Sequence, residues 1–181
     1  ALGSRIRLSG LQIRVDCAIG CALSLSLDED PDDVVRKAQA AVKIAKRSGK
    51  VEIYRNGMLK EAQRRFSIES RLRDALSQGG LSLAYQPLIH LQTGEITGFE
   101  ALARWNDAEL GNVPPTEFIA VAEESGLITS LGRWAAYEAA QAMSRWDAKY
   151  GQPLPVSVNV NLSAIQIARD DVESMFEEAL R

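Results

Sequence analysis

The chain is short of the residues from which many catalytic and structural centres are built. It has one histidine and two cysteines in 181 residues. Cys17 and Cys21 fall on one expected strand, on one face but too far apart to bridge. With no disulfide framework, a reducing cytoplasm is the expected setting. His90 has no second metal ligand nearby in sequence and reads as a surface or capping residue. No run approaches the ~20 apolar residues of a membrane span, and no signal-peptide pattern opens the chain. Basic residues come with neither a reading-helix motif nor interleaved aromatics, which argues against binding a nucleic acid polymer. There is no initiator Met, and Arg181 falls inside an apparent helix, so an excerpt of a longer protein is expected.

What is present is globular in character, 46% hydrophobic and 25% charged. Charge is uneven. Residues 1–80 carry 15 Lys/Arg against 10 Asp/Glu, and residues 81–181 carry 6 against 14, which suggests two units of different origin.

Residues 5–27 read as two strands, Arg5–Leu8 and Leu11–Leu25, with a Ser9-Gly10 turn between them. Gly20 interrupts the second and suggests a bulge or a close backbone approach. Asp30 and Pro31 open a helix whose apolar residues Val34, Val35, Ala38, Ala41, Val42 and Ala45 recur at helical spacing, and Gly49 closes it. Val51–Tyr54 is a short strand. Residues 57–78 form a basic amphipathic helix with Leu59, Ala62, Phe66, Leu72, Ala75 and Leu76 as its stripe, ended by Gly79-Gly80 and expected to pack between two domains.

From Leu81 the pattern changes. Leu81–Ile89 is a strand in which Pro87 should interrupt the ladder, and a turn at Gln92–Glu95 joins it to a second strand as in a hairpin. In that second strand Phe99, Ala101, Ala103 and Trp105 share an apolar face, while Gly98, Glu100, Leu102 and Arg104 share the other. A carboxylate and a guanidinium thus lie on one face, roughly 13 Å apart along the strand. They are either incidental surface charges or parts of a site. Helices follow from Pro114 to near Gly126 and from Ser130 to Gly151, the latter with Leu131, Trp134, Ala135, Ala139, Ala142, Met143 and Trp146 as core. Val156–Ser163 is a third strand with Ser157, Asn159, Asn161 and Ser163 on one face, and Asp170-Asp171 caps a last helix. This α/β alternation calls for a parallel sheet or barrel. Carboxamides on a strand of this type need partners. They either satisfy each other and the backbone, or an Asn oxygen and the Glu100 carboxylate hold a hard cation such as Mg²⁺ or Mn²⁺.

Two resemblances follow from these residues. Val15–Ala22 and Arg36–Lys50 resemble the last strand and closing helix of a GGDEF (diguanylate cyclase) domain, with Ala18, Gln39 and Lys43 departing from the family pattern. The turn that names that family and its metal-binding acids do not occur in the chain, so no cyclase activity is assigned. Tyr85-Gln86-Pro87, Glu100–Trp105, Gly111–Ile119, Ala122–Ile128 and Asn161–Gln166 resemble, in order and spacing, an EAL domain over about residues 67–181. Asp107-Ala108 replaces that family's usual His-Pro and is expected to change only a loop.

The resemblance implies an α/β chain made of a partial, degenerate GGDEF subdomain (1–56), a linker helix (57–80) and the first strands and helices of an EAL-type TIM (β/α)8 barrel (81–181). It implies Glu100 and Asn161 as ligands of Mg²⁺ or Mn²⁺, with Glu100 catalytic, and Gln86, Leu102 and Arg104 as contacts to cyclic di-GMP, Arg104 on a phosphate. The implied activity is metal-assisted hydrolysis of cyclic di-GMP to linear pGpG in the parent protein. A catalytically inactive cyclic di-GMP receptor or regulatory GGDEF–EAL module is the alternative. The family's further acidic ligands and a catalytic Lys come from later strands, so this piece alone is expected to be inactive. An upstream sensor domain, a cytoplasmic site with any membrane tether upstream, and self-association (a homodimer) through an exposed sheet edge complete the expectations.

Overall fold

A computed structural model describes residues 5–8, 11–14, 17–24 and 29–180. They divide into two units between Phe66 and Ser67. In the first, β1 (Arg5–Leu8) and β2 (Leu11–Arg14) pair antiparallel. The Ser9-Gly10 turn, Val15-Asp16 and residues 25–28 lie outside the described residues. The long strand expected over Leu11–Leu25 is broken, because residues 17–19 are irregular and β3 is only Gly20–Cys21. Cys17 and Cys21 therefore do not share a strand; both are exposed free thiols. Gly20 marks the close approach that its sequence context suggests: a Cβ there would lie 2.6 Å from the Ala38 carbonyl oxygen of the next helix.

That helix, α1 (Pro31–Ser48), begins where the Asp30 carboxylate accepts from the Asp32 N–H at 2.9 Å, and ends at Gly49. β4 (Glu52–Ile53) then pairs parallel with β3, completing a small βαβ unit over Ala40, Ala41 and Met58. The division between units falls within α2 (Met58–Gln78). Ile68 and Leu72 of α2 are fully buried, whereas Phe66, expected on its apolar stripe, is 67% exposed. Two residues of helix are about 200° of rotation, so a stripe centred on Ile68 and Leu72 leaves Phe66 on the opposite side.

The second unit is organised on β6. β5 (Leu81–Ile89) and β6 (Ile96–Asp107) form the expected hairpin, closed by a turn in which His90 Nδ1 lies 3.1 Å from Thr93 Oγ1. Pro87 keeps its place opposite Phe99, and the register slips one residue later, between Leu88 and Ile89. β7 (Gly111–Val113), which alternation alone did not reveal, pairs antiparallel with Trp105–Asp107. α3 (Pro115–Ser125) and α4 (Ile128–Tyr150) then cross over to β8 (Ser157–Val160), parallel to β6. α5 (Ala164–Arg169) and α6 (Val172–Ala179) follow. The unit is α/β, with one parallel crossover pair among its described strands.

Its core lies between the sheet and the helices. Trp105 meets Phe118 edge to face at 5.9 Å, surrounded by Ile68, Leu72, Val113, Val121, Leu127, Ile128 and Leu131. Tyr85 and Phe99 pack on Trp146 at 4.9 and 5.4 Å between ring centroids. Such aromatic pairs contribute about 0.5–1.5 kcal/mol each beyond the area they bury.

Asp107 does more than shape a loop. Its Oδ1 accepts from the Glu109 and Leu110 N–H groups at 2.9 Å each, and Arg71 of α2 bridges it at 3.1 Å while also pairing with Glu109. The carboxylate thus ties α2 to the end of β6 and to the turn leading into β7. Burial pushes its carboxyl up, but the two backbone donors and Arg71 outweigh that, and the group is held below the ordinary carboxylate range. A depressed folded pKa stabilises the protein fully above the unfolded value of about 3.9, and that contribution is lost as pH falls through the lower folded value. Urea unfolding between pH 5 and pH 2 should therefore show an acid loss of stability that Asp107→Asn reduces; an unaltered acid limb in the variant contradicts the assignment.

Candidate functional site

On the face of β6 turned away from the aromatic core, period-two alternation sets out Gly98, Glu100, Leu102 and Arg104. The ladder registers Gln86 of β5 and Asn159 of β8 on either side of Glu100, so a carboxylate sits between two carboxamides in one row across three strands. Leu102 stands opposite Ala84, and Arg104 opposite Ser82. Arg104 is exposed, and its Nη1 donates to the Ala103 carbonyl oxygen at 3.0 Å.

β8 pairs with Gly98–Ala101 and β7 with Trp105–Asp107, along the edge of β6 opposite β5. Leu102, Ala103 and Arg104 lie between those two ladders. There the chain of β8 departs: regular pairing stops at Val160, and Asn161 lies beyond the strand end. The expected third strand through Ser163 is therefore too long. Ser163 leaves the strand face altogether and becomes the N-cap of α5, because its hydroxyl is better used on the Ile165 N–H at 3.1 Å. Freed from the ladder, Asn161 turns to Glu100, and its Nδ2 donates to Glu100 Oε1 at 2.7 Å across 61 positions of sequence. A cavity of about 290 Å³ lies between the sheet and the helices, lined by Ala101, Ala103, Leu131, Ala135 and Gln166 and reached by Asn161; Glu100 does not line it.

Glu100 and Asn161 thus converge, Gln86 is level with Glu100, and Leu102 and Arg104 extend the same face toward the strand end. The sequence leaves the partner of Asn159 open, and Gln166 enters there only as the end of a family-like block. The place of Asn159 beside Glu100 comes from the register, and the anchoring role of Gln166 is signalled by the spacing of a Ser-x-x-Gln capping box. The donor set suits a hard divalent cation: two oxygen-bearing side chains in hydrogen-bond contact, with a half-turn of the Asn161 carboxamide replacing Nδ2 by Oδ1. No three His, Cys, Asp or Glu side chains converge among the described residues, so the pair is a partial donor set.

The EAL domain profile matches residues 69–181, which include every one of these side chains. The chain belongs to the EAL domain family. It is 32% identical over 177 residues to the cyclic di-GMP phosphodiesterase PdeR of Escherichia coli, covering 97% of this chain and 26% of that protein. It is 31% identical over 176 residues to the bifunctional diguanylate cyclase/cyclic di-GMP phosphodiesterase MucR of Pseudomonas aeruginosa, covering 96% of this chain and 25% of MucR. The chain therefore spans about a quarter of the length of these curated relatives. Among solved structures, the MucR phosphodiesterase in complex with c-di-GMP superposes with a TM-score of 0.57 at 35% identity, over 63% of this chain and 45% of that one. The EAL domain of FimX from Xanthomonas citri, also in complex with c-di-GMP, gives 0.55 at 25% identity, over 67% and 46%. Glu100-Ala101-Leu102 lies within the matched residues, in mid-strand on β6. No described helix is long and apolar enough to cross a membrane.

Proposed function

We propose that this chain carries part of the active site of a cyclic di-GMP phosphodiesterase, which opens the cyclic dinucleotide to linear pGpG. The observation that carries the reading is the 2.7 Å contact between Glu100 on β6 and Asn161 just past the end of β8, at the point where the sheet opens. Relatives named as phosphodiesterases of this messenger, and a neighbour bound to it, support the choice of substrate. In this reading Glu100 and Asn161 would hold Mg²⁺ or Mn²⁺ through oxygen. A bound divalent ion of this kind supplies an activated water and neutralises charge that builds on the phosphoryl oxygens. Arg104, exposed on the same face, offers a planar fork to a phosphate of the dinucleotide. Leu102 presents apolar surface to a base or ribose, and the Gln86 carboxamide contributes donors and acceptors to the substrate beside Glu100.

The region before the EAL domain is proposed to derive from a GGDEF domain. Its β3–α1–β4 unit and an alignment with MucR that runs past the 69–181 match support this. We further propose that the EAL half is the start of a (β/α)8 barrel, β6 and β8 being neighbouring parallel strands with the site where their pairing ends, just past the carboxyl end of β8.

In the longer protein, Glu100→Ala should reduce hydrolysis of cyclic di-GMP by at least ~10³-fold with unchanged circular dichroism, the scale of losing a transition-state electrostatic contact; retained turnover removes Glu100 from the site. Binding of cyclic di-GMP without hydrolysis by the unmutated longer protein would turn the reading to a receptor. Arg104→Lys should weaken cyclic di-GMP binding by roughly 10-fold, since an ammonium cannot reproduce the bidentate fork; calorimetry showing equal affinity places the phosphate elsewhere. The 181-residue chain by itself should bind Mn²⁺ weakly and show no turnover, and detectable pGpG formation by the purified chain contradicts that expectation.

A further inference from the structure

The β8 ladder ends at Val160, so the sheet does not fix the backbone that presents Asn161. Three residues later the chain enters α5, which at six residues is too short to hold its own start in place. What anchors this segment is Gln166. Its Oε1 accepts from the Ser163 N–H at 3.1 Å, closing a capping box with the Ser163 hydroxyl.

The same side chain is 2% exposed, and its Nε2 has no hydrogen-bond partner among the described residues. A buried donor left unpaired costs stability, which a side chain serving only to fill space would avoid. The carboxamide is pressed against the bare backbone of α4 at Gly132, itself buried in the second turn of that helix. A Cβ on Gly132 would lie 2.8 Å from Gln166 Cδ and closer still to its Nε2. Glycine is a poor choice inside a helix, so two unfavourable features meet at one contact.

We propose that the Gly132–Gln166 contact is a positioning lock for Asn161. Gly132 admits the carboxamide, the carboxamide pins the Ser163 N–H, and the pinned Asn161-Leu162-Ser163 segment keeps the Asn161 side chain within reach of Glu100. Gln166 touches neither substrate nor cation; it acts through Asn161. The proposal rests on the reading of Glu100 and Asn161 as oxygen donors to a divalent cation.

The test uses the 181-residue chain, titrated with Mn²⁺ while paramagnetic broadening of the Ala101 and Leu102 backbone amides is followed by NMR, together with thermal unfolding. Asn161→Ala should raise the Mn²⁺ midpoint. Gln166→Ala should raise it about 10-fold, the scale of losing a side chain that orients a ligand. Gly132→Ala should lower Tm by displacing Gln166. The double variant Gly132→Ala/Gln166→Ala removes the overlap, and it should recover most of that Tm while leaving the Mn²⁺ midpoint raised, a separation that a purely packing role does not produce. A midpoint within twofold of the parent chain in Gln166→Ala and in the double variant, with Asn161→Ala still impaired, overturns the lock alone. An unchanged midpoint in Asn161→Ala and Glu100→Ala overturns the donor assignment, and the lock with it.

Discussion

Strand β6 is required to do two things at once, and the two-residue period of an extended chain is what permits it. Ala101 and Trp105 are buried on one face, where Trp105 closes on Phe118 and the α3–α4 layer. Glu100, Leu102 and Arg104 stand on the other face, between the neighbours that the hairpin and the parallel crossover bring alongside. Sliding the strand by one residue would put the carboxylate in the core and the indole in the site. Core packing therefore fixes the height and direction of Glu100 without touching it, and that precision is what a cation or phosphate contact needs.

The second constraint is the division of one edge of β6 between two partners. β8 takes Gly98–Ala101, β7 takes Trp105–Asp107, and the chain between them is left to line the cavity beside Asn161. β7 is held in turn by the Asp107 turn and by Arg71 of α2. The side chains that shape the opening are thus tied to α2 on one side and to α4, through Gly132 and Gln166, on the other. Substitution at Asp107 reaches past its loop because its carboxylate is satisfied both by the Glu109 and Leu110 N–H groups of its own turn and by Arg71 of α2.

Much of the local structure was legible residue by residue. Asp30-Pro31, Gly49, Gly126 and Gly151 mark helix ends because caps depend on near neighbours in sequence, and the Leu81–Ile89 strand with its hairpin is found at the expected residues. Failures came where a partner far away in sequence decided the outcome. Leu11–Leu25 alternates well enough for one long strand but is broken near its middle. Phe66 fits a stripe on its own helix yet is exposed. Asn161 and Ser163 continue the alternation of β8, but Ser163 can cap α5 and Asn161 can reach Glu100, and both interactions outweigh another rung of ladder.

The sequence by itself determined which groups were available: a carboxylate and a guanidinium on one face of an apolar strand, carboxamides on another, and the family pattern that spaces them. Alternation and capping are local, so the chemical inventory and most element boundaries follow from neighbouring residues. Only the tertiary structure decided that Asn161 meets Glu100, that Asn159 and Gln86 flank it, and that Gln166 rests on Gly132. Those contacts join residues tens of positions apart, and they are set by strand register and helix packing, which no stretch of the chain encodes alone.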